Sequence, residues 1–484
     1  MKALRVNNIK ALQCWLRTFF LFLSRQNEPS KNFRPAFYKG SKGDFREVTY
    51  FTKKRGERMA IKERALRELS VLKNYVHSAA ETGDKKVLNA VAAELNNARN
   101  FYKSVLPAES FSKYAKLYDN LFHSIQNAIE DNANIPKGAL SLSEELFERI
   151  IGKTEAENDF KKEIFFLPYQ ASMWDSLESV WKATREDENC IAYVMPIPYC
   201  DRNPDGSVRE WHCERDKFPP YVPTLDWKQV DLKAIHPDVI YFHNPYDNIN
   251  FITSVESRYY SYNLRECTDK LIYIPYFILE EPCTVEGIEH FITTPGVVNA
   301  DKVIVQSEAM RDIYIDVLTK RTNQHDRAYW EARISGAGSP KIDKVLTSEK
   351  EDFEMPEKWL KLIQGKKVIL YNTSVGATLT NAVKVCDKLR YVFDFFRNRD
   401  DVVLWWRPHP LMKSTLHSMK PQFEAEYIAL EKQYIEEGFG IYDDSPDLYR
   451  AICWSDAYYG DGSSVLSLYR VTGKPMMIEN ILLS

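Results

Sequence analysis

From about residue 160 to the C-terminus, short apolar runs alternate with helical stretches, and this alternation constrains the fold more than any other feature of the chain. The runs at 163–168, 192–196, 239–242, 271–274 and 302–305 are nearly continuous in apolar residues, with a helical stretch at 172–184 between the first two. Strands covered on both faces read as unbroken apolar runs, and parallel strands need crossover helices. The pattern therefore predicts a parallel, doubly wound sheet in a Rossmann-like domain over 159–345. A second alternation, with runs at 367–371, 402–405 and 457–459, predicts another such domain over 366–484. The charged, helical stretch 346–365 is read as the linker between them. Two doubly wound domains facing one another across a cleft make the GT-B architecture, common among nucleotide-diphosphate-dependent transferases. The chain ends at Ser484, soon after the last predicted strand, so the helix with which many GT-B proteins cross back to the first domain is expected to be absent or shortened.

The N-terminal third reads differently. Ala65, Leu66, Leu69, Leu72 and Val76, then Val87, Leu88, Val91 and Leu95, recur at helical spacing, with breaks at Gly83-Asp84 and Pro107. Ser141 followed by Glu144 resembles a capping-box start. Residues 51–158 are thus expected to form a helical hairpin or bundle that carries no catalytic constellation and serves docking or partner contact. At 484 residues the chain is too long for one ordinary core, and 44% hydrophobic with 27% charged residues is a globular composition rather than a disordered one.

Charge is unevenly spread. Residues 1–70 carry a net +11, leaving −14 for the remainder of a chain whose total is −3. A basic end on an acidic body points to an anionic membrane surface rather than to nucleic acid. Within it, residues 15–23 read WLRTFFLFL, too short to span a bilayer and interrupted by Arg17. No small-residue cleavage site follows, so residues 1–25 are read as a basic aromatic helix in the membrane interface, or else as a helix packed on its own protein, with residues 1–50 as this end and its connector. Eight cysteines without a CxxC pair fit reduced thiols in a cytoplasmic protein, on the inner face of the membrane if the N-terminal helix binds lipid, and argue against zinc.

Chemistry-bearing residues gather after the strands of the second domain, where open α/β sheets bind ligands. Asn372-Thr373-Ser374 follows the run 367–371 and enters a helix, so Thr373 and Ser374 offer hydroxyls and N–H groups to phosphate oxygens. Trp406-Arg407-Pro408-His409-Pro410 follows 402–405, supplying a cation and an imidazole between prolines that restrict the backbone. Asp461-Gly462-Ser463-Ser464 follows 457–459 and opens another helix, with Gly473-Lys474-Pro475 beyond it. Together they read as a phosphate clamp for a phosphorylated donor. Asp443-Asp444 is read as an exposed turn, and no metal-binding carboxylate pair is expected.

These motifs resemble those of the CDP-glycerol glycerophosphotransferases, the teichoic-acid primase and polymerase group, over roughly residues 300–480. The family pattern R-x-H-P is matched by Arg407-Pro408-His409-Pro410. S-D-x-x-x-x-D-x-S-S-V is matched by Ser455-Asp456 through Asp461-Gly462-Ser463-Ser464-Val465, and K-P by Lys474-Pro475. The family's G-x-P-R segment corresponds to Gly338-Ser339-Pro340-Lys341, with Lys341 in place of arginine and Asp343 retained. The resemblance implies that Arg407, Thr373, Ser374, Asp461, Ser463, Ser464, Lys474 and Lys341 hold the donor, CDP-glycerol or a similar CDP-alcohol, with His409 beside them as a catalytic residue. An acceptor hydroxyl, on a polymer or a lipid-linked carrier, then attacks phosphorus and CMP leaves. Such chemistry rests on positioning and charge stabilisation and calls for no cofactor here.

In the first domain the resemblance weakens. Family members carry a W-H-G or W-H-A segment whose histidine is the proposed base, but the corresponding strand at 271–277 holds none, and Trp211-His212 is read as part of a charged loop. The replacements offered are His243, at the end of the run 239–242, and His290, with Tyr246 and Asp247 as acceptor contacts. Segments 168–175 and 196–199 supply aromatic faces for an acceptor wall, or core aromatics and caps. Two other readings remain open: a glycosyltransferase using a nucleotide sugar, and a non-catalytic protein that binds nucleotide or glycan.

Overall fold

The computed structural model describes residues 61–130, 140–203, 205–279, 285–322, 325–380, 382–445 and 447–478. The expectations for residues 1–50 lie outside them. Four helices come first: α1 (Ile61–Thr82), α2 (Lys85–Val105), α3 (Ala108–Glu130) and α4 (Ser141–Ala156). Their apolar stripes meet in one core, where Leu69, Leu72 and Val76 pack with Leu88, Val91, Leu95, Tyr114 and Phe147. Gly83 ends the first helix at φ +72°, and the Asp84 carboxylate caps the second by accepting the Lys86 N–H at 2.9 Å. The capping box expected at Ser141 does not form. Ser141 is the first residue of α4, and the Glu144 carboxylate turns instead to His77 Nδ1, at 2.8 Å.

The strands are β1 (Lys162–Leu167), β2 (Cys190–Val194), β3 (Tyr199–Arg202), β4 (Val208–His212), β5 (Val239–Phe242), β6 (Thr253–Val255), β7 (Lys270–Tyr273), β8 (Lys302–Ile304), β9 (Ile334–Ser335), β10 (Lys367–Thr373), β11 (Val402–Pro408), β12 (Ile441–Tyr442), β13 (Ala457–Gly460) and β14 (Met476–Ile478). They form two α/β sheets of the doubly wound kind, in the orders β2-β1-β5-β7-β8-β9 and β12-β11-β10-β13-β14. Each apolar run of the sequence overlaps one of their strands. The pairs β1–β2, β1–β5, β5–β7 and β7–β8 are parallel, as are all four pairs of the second sheet.

A third, antiparallel sheet, β4-β3-β6, has no counterpart in the sequence reading. Its strand β4 is exposed along almost its whole length and offers no apolar run. Trp211 and His212 therefore lie on a strand and not in a loop. The stretch 172–184 is also not one helix: a 3₁₀ turn (Ala171–Ser176) gives way at Leu177 to α5 (Glu178–Glu186). The chain divides into two compact units, one of residues up to Tyr273 with Pro295–Val303, the other of Ile274–Thr294 with the residues from Ile304 onward. No described helix is long and apolar enough to cross a membrane.

Alternation along the central strands of the second sheet explains its two cores. Tyr371, Leu404 and Trp406 face Phe393 and Tyr434 of the helices Ala382–Arg397 and Pro421–Glu437. Val368, Leu370, Val403 and Trp405 face Ile452, Leu466 and Tyr469 of the helices Leu448–Trp454 and Ser464–Arg470. β10 has β11 on one side and β13 on the other, so the winding reverses there. The crevice beyond its carboxyl end is the topological switch point, where such sheets bind ligands.

Candidate active site at a strand-end switch point

Register brings three strand ends together: Asn372 lies opposite Arg407 on one side and Gly460 on the other. Beyond them the connecting turns are tied across the sheet. His409 N–H donates to the Thr373 carbonyl at 3.0 Å, and Asp461 N–H to the Asn372 carbonyl at 3.0 Å. The buried Asn372 amide donates to the Arg407 carbonyl at 2.9 Å, while its side-chain carbonyl accepts the Ser463 hydroxyl at 2.9 Å. Gly460 allows this closeness. Its φ is +139°, and a Cβ there would stand 2.1 Å from the Asn372 carbonyl oxygen.

Asp461 sits at the middle of the switch point. One carboxylate oxygen accepts the Ser374 N–H at 2.7 Å, and the other pairs with Lys388 Nζ at 3.0 Å. Ser374 also caps the helix Val375–Thr380, its Oγ accepting Ala377 N–H at 3.2 Å, and Thr373 Oγ1 accepts the Trp406 indole N–H at 3.3 Å. Ser463 caps the helix that begins at Ser464, whose side chain is exposed.

His409 is exposed beyond β11, and its Nδ1 accepts the Leu411 N–H at 3.1 Å. The lone pair is therefore at Nδ1, and in the neutral ring Nε2 carries the proton. Desolvation of the ring holds its pKa below the ordinary histidine value. The result is a neutral Nε2–H donor at the same sheet edge as Ser374 and Asp461.

Other expected residues are placed elsewhere. β11 runs on to Pro408, so Arg407 lies within the strand, on the Trp405 side. Its guanidinium pairs with Asp443 at 2.8 Å and donates to the Ser445 carbonyl. Asp443 is not in an exposed turn. It is buried and also accepts from the Trp405 indole at 3.0 Å and the Ser445 hydroxyl at 2.6 Å. Lys474 is at the opposite, amino edge of the sheet, where Pro475 O accepts Tyr458 N–H at 3.0 Å. Its ammonium donates to the carbonyls of Ile452 (2.8 Å), Cys453 (3.1 Å) and Ser455 (2.7 Å), closing the C-terminal end of a helix. Lys341 is in the first turn of the helix Pro340–Thr347, its N–H donating to the capping Ser339 Oγ at 3.3 Å.

In the first unit His243 is fully buried and both ring nitrogens are engaged. Nε2 accepts the Tyr169 N–H at 3.1 Å, and Nδ1 meets Ser176 Oγ at 2.8 Å. The Ser176 hydroxyl donates to the Met173 carbonyl at 2.8 Å, so Nδ1 is the protonated nitrogen and Nε2 has no lone pair left for an acceptor. The geometry presents His243 as a tie between the ends of β1 and β5, not as a base. Asp247, at φ +47°, is likewise internal: its carboxylate takes the N–H (2.8 Å) and hydroxyl (2.6 Å) of Ser261, and burial pushes its pKa up. Tyr246 is half-buried, its N–H donating to Asn244 Oδ1 at 3.1 Å. His290 belongs instead to the second unit, where it is exposed on the helix Val285–Ile292 against the Phe291 ring.

Sequence reasoning did not single out Asn372 or Lys388. Asn372 was legible as a polar residue closing an apolar run. Lys388 sits in an amphipathic helix without a motif.

Comparison with known proteins agrees with the motifs. Residues 289–480, which include the whole second sheet, match the family model described as CDP-glycerol:poly(glycerophosphate) glycerophosphotransferase. Over that segment the chain is similar to glycerophosphotransferases. No curated protein matches the chain. Among solved structures, a variant of the wall teichoic acid polymerase TagF is 15% identical, with 74% of this chain and 79% of that one covered and a TM-score of 0.35. The UDP-GlcNAc 2-epimerase of Neisseria meningitidis, bound to UDP-GlcNAc, is 8% identical over 65% of this chain and 82% of its own, with a TM-score of 0.40. The S. aureus MnaA–UDP structure is 12% identical over 66% and 78%, with a TM-score of 0.39.

Proposed function

We propose that this protein transfers glycerophosphate, or a related polyol phosphate, from CDP-glycerol or a similar CDP-alcohol to a hydroxyl of a surface polymer or lipid-linked acceptor. The acceptor oxygen forms a new bond to the phosphorus that bears the polyol. The phosphoanhydride bond of the donor breaks, CMP leaves, and the hydroxyl proton passes to solvent or to a base. The observation that carries this reading is the position of His409 and Ser463-Ser464 at the switch point of a sheet that lies wholly within the family match. The neutral His409 Nε2–H and the exposed Ser464 hydroxyl supply hydrogen bonds to phosphoryl oxygens, where charge is stabilised during transfer. Ser374, Thr373, Asp461 and Asn372 hold the strand ends that carry them. Contact of residues 1–25 with an anionic membrane belongs to the same reading, since a lipid-linked acceptor resides there.

The deciding experiment offers the protein CDP-glycerol, CDP-ribitol and UDP-sugars and measures the nucleotide released. CMP from a CDP-alcohol, released about 100-fold or more slowly by His409→Ala, is the expected result. Turnover of UDP-sugars alone would replace this reading with a glycosyltransferase, and turnover of none with a binding protein.

A further inference from the structure

We propose that Lys388 is a positioning residue of the donor site, which neutralises Asp461 so that the strand ends accept a diphosphate. The inference rests on the donor reading above. Lys388 lies on the helix Ala382–Arg397 among the core residues Val385, Cys386, Leu389 and Val392, and is itself only 4% exposed. Asp461 is 2% exposed. Burying two charged groups costs desolvation, and an apolar pair of the same volume generally serves a fold as well or better. Stability alone therefore does not account for a lysine at this position; the place of its partner does.

Asp461 occupies the switch point itself. Its carboxylate is the group that fixes the Ser374 N–H, at 2.7 Å, and its backbone N–H closes on Asn372, at 3.0 Å. Without a counter-charge that carboxylate would set a negative charge where the donor brings two phosphates, and buried like charges oppose one another strongly. The Lys388 ammonium, 3.0 Å from Asp461 Oδ1, cancels it from behind the sheet edge, where it does not itself reach into solvent. Asp461 can then order the loop without repelling the ligand.

The test compares wild-type protein with K388M and the double variant K388M/D461N. Binding of CDP and of inorganic pyrophosphate is measured by calorimetry, beside steady-state kinetics with CDP-glycerol. Asn at 461 keeps an oxygen for the Ser374 N–H and removes the charge. K388M is expected to weaken both anions and raise donor KM by about 10-fold or more, with kcat held within about 3-fold. K388M/D461N is expected to bind both anions within about 3-fold of wild type, since the charge balance returns although the ion pair does not. A pair needed only for folding predicts the reverse, a double variant no better than the single one, and that result overturns the proposal. So does K388M with wild-type anion affinity, or a wild-type protein that binds neither anion. Should the anion pattern hold while no CDP-alcohol is turned over, the charge role stands and the glycerophosphotransferase reading alone falls.

Discussion

Asn372 accepts the Ser463 hydroxyl at 2.9 Å and donates to the Arg407 carbonyl at 2.9 Å, so one buried side chain ties the ends of three adjacent strands. Asn372→Leu keeps the volume and removes both bonds, so the Arg407 carbonyl loses this donor and the Ser463 O–H loses its acceptor while Ser463 Oγ still caps Leu466 N–H. Each such loss costs about 1–3 kcal/mol. The variant is expected to unfold at a lower urea concentration by an amount worth about 2–4 kcal/mol in all. Donor turnover should fall with it, because Ser463 and Ser464 lose their anchor. A wild-type urea midpoint would show that the tie carries no load.

His409 sets a pH dependence whose direction follows from its surroundings. Desolvation lowers its folded pKa below the ordinary histidine value of about 6.5. Between the two values the unfolded chain binds the proton and the folded one does not. The contribution to stability is thus full above about pH 6.5 and is lost as pH falls toward the folded pKa. Protonation also takes the Nδ1 lone pair away from the Leu411 N–H and disturbs the loop. A profile of kcat/KM against pH should therefore show an acid limb centred below the ordinary histidine value. His409→Ala should lower kcat/KM by about 100-fold or more and abolish the limb. An unchanged limb in that variant would assign it to another group.

The strands β1, β5, β7, β10 and β11 were legible because burial on two faces leaves an apolar run of the right length, whereas β9 and β12 have two residues each and β14 is exposed throughout. The strand-end turns were legible for the same reason, as polar segments closing those runs. Side-chain direction was not. Arg407 looked like a clamp only if β11 ended at Trp405; the strand continues to Pro408, and the two-residue period turns Arg407 to the Trp405 side and onto Asp443. That partner lies 36 positions along the chain, beyond any local pattern. Lys388 and Asp461 are still farther apart, and a lysine in an amphipathic helix reads as solvent-facing until the burial is seen. The antiparallel sheet escaped notice because β4 faces solvent and has no core-facing period.

Lys474 matches a donor motif but is spent on structure. Its three carbonyl partners all belong to residues 452–455, at the amino edge of the sheet. β10 spans seven residues from that edge to the carboxyl one. At a rise of about 3.3 Å per residue the two edges are roughly 20 Å apart. Lys474→Met is expected to destabilise the protein by about 1–2 kcal/mol while donor KM stays within about twofold of wild type. Thermal melts and steady-state kinetics on the same preparation separate the two effects. A large rise in KM at unchanged stability would return Lys474 to the donor site.

His243 makes the corresponding case in the first unit. A base must have a nitrogen lone pair open to the acceptor, and here the Nε2 pair is held by the Tyr169 N–H while Nδ1 is engaged with Ser176. Replacement by phenylalanine fills the volume, takes the acceptor from the Tyr169 N–H and leaves Ser176 its bond to the Met173 carbonyl. The expected cost is about 2–4 kcal/mol of stability, read from the urea midpoint. The pH profile of kcat, measured at a temperature where the variant is folded, should keep its shape, since no proton passes through this ring. His243→Phe protein that is fully folded and yet loses the limb of that profile would restore the histidine as the base and show that the Tyr169 contact opens when the acceptor binds.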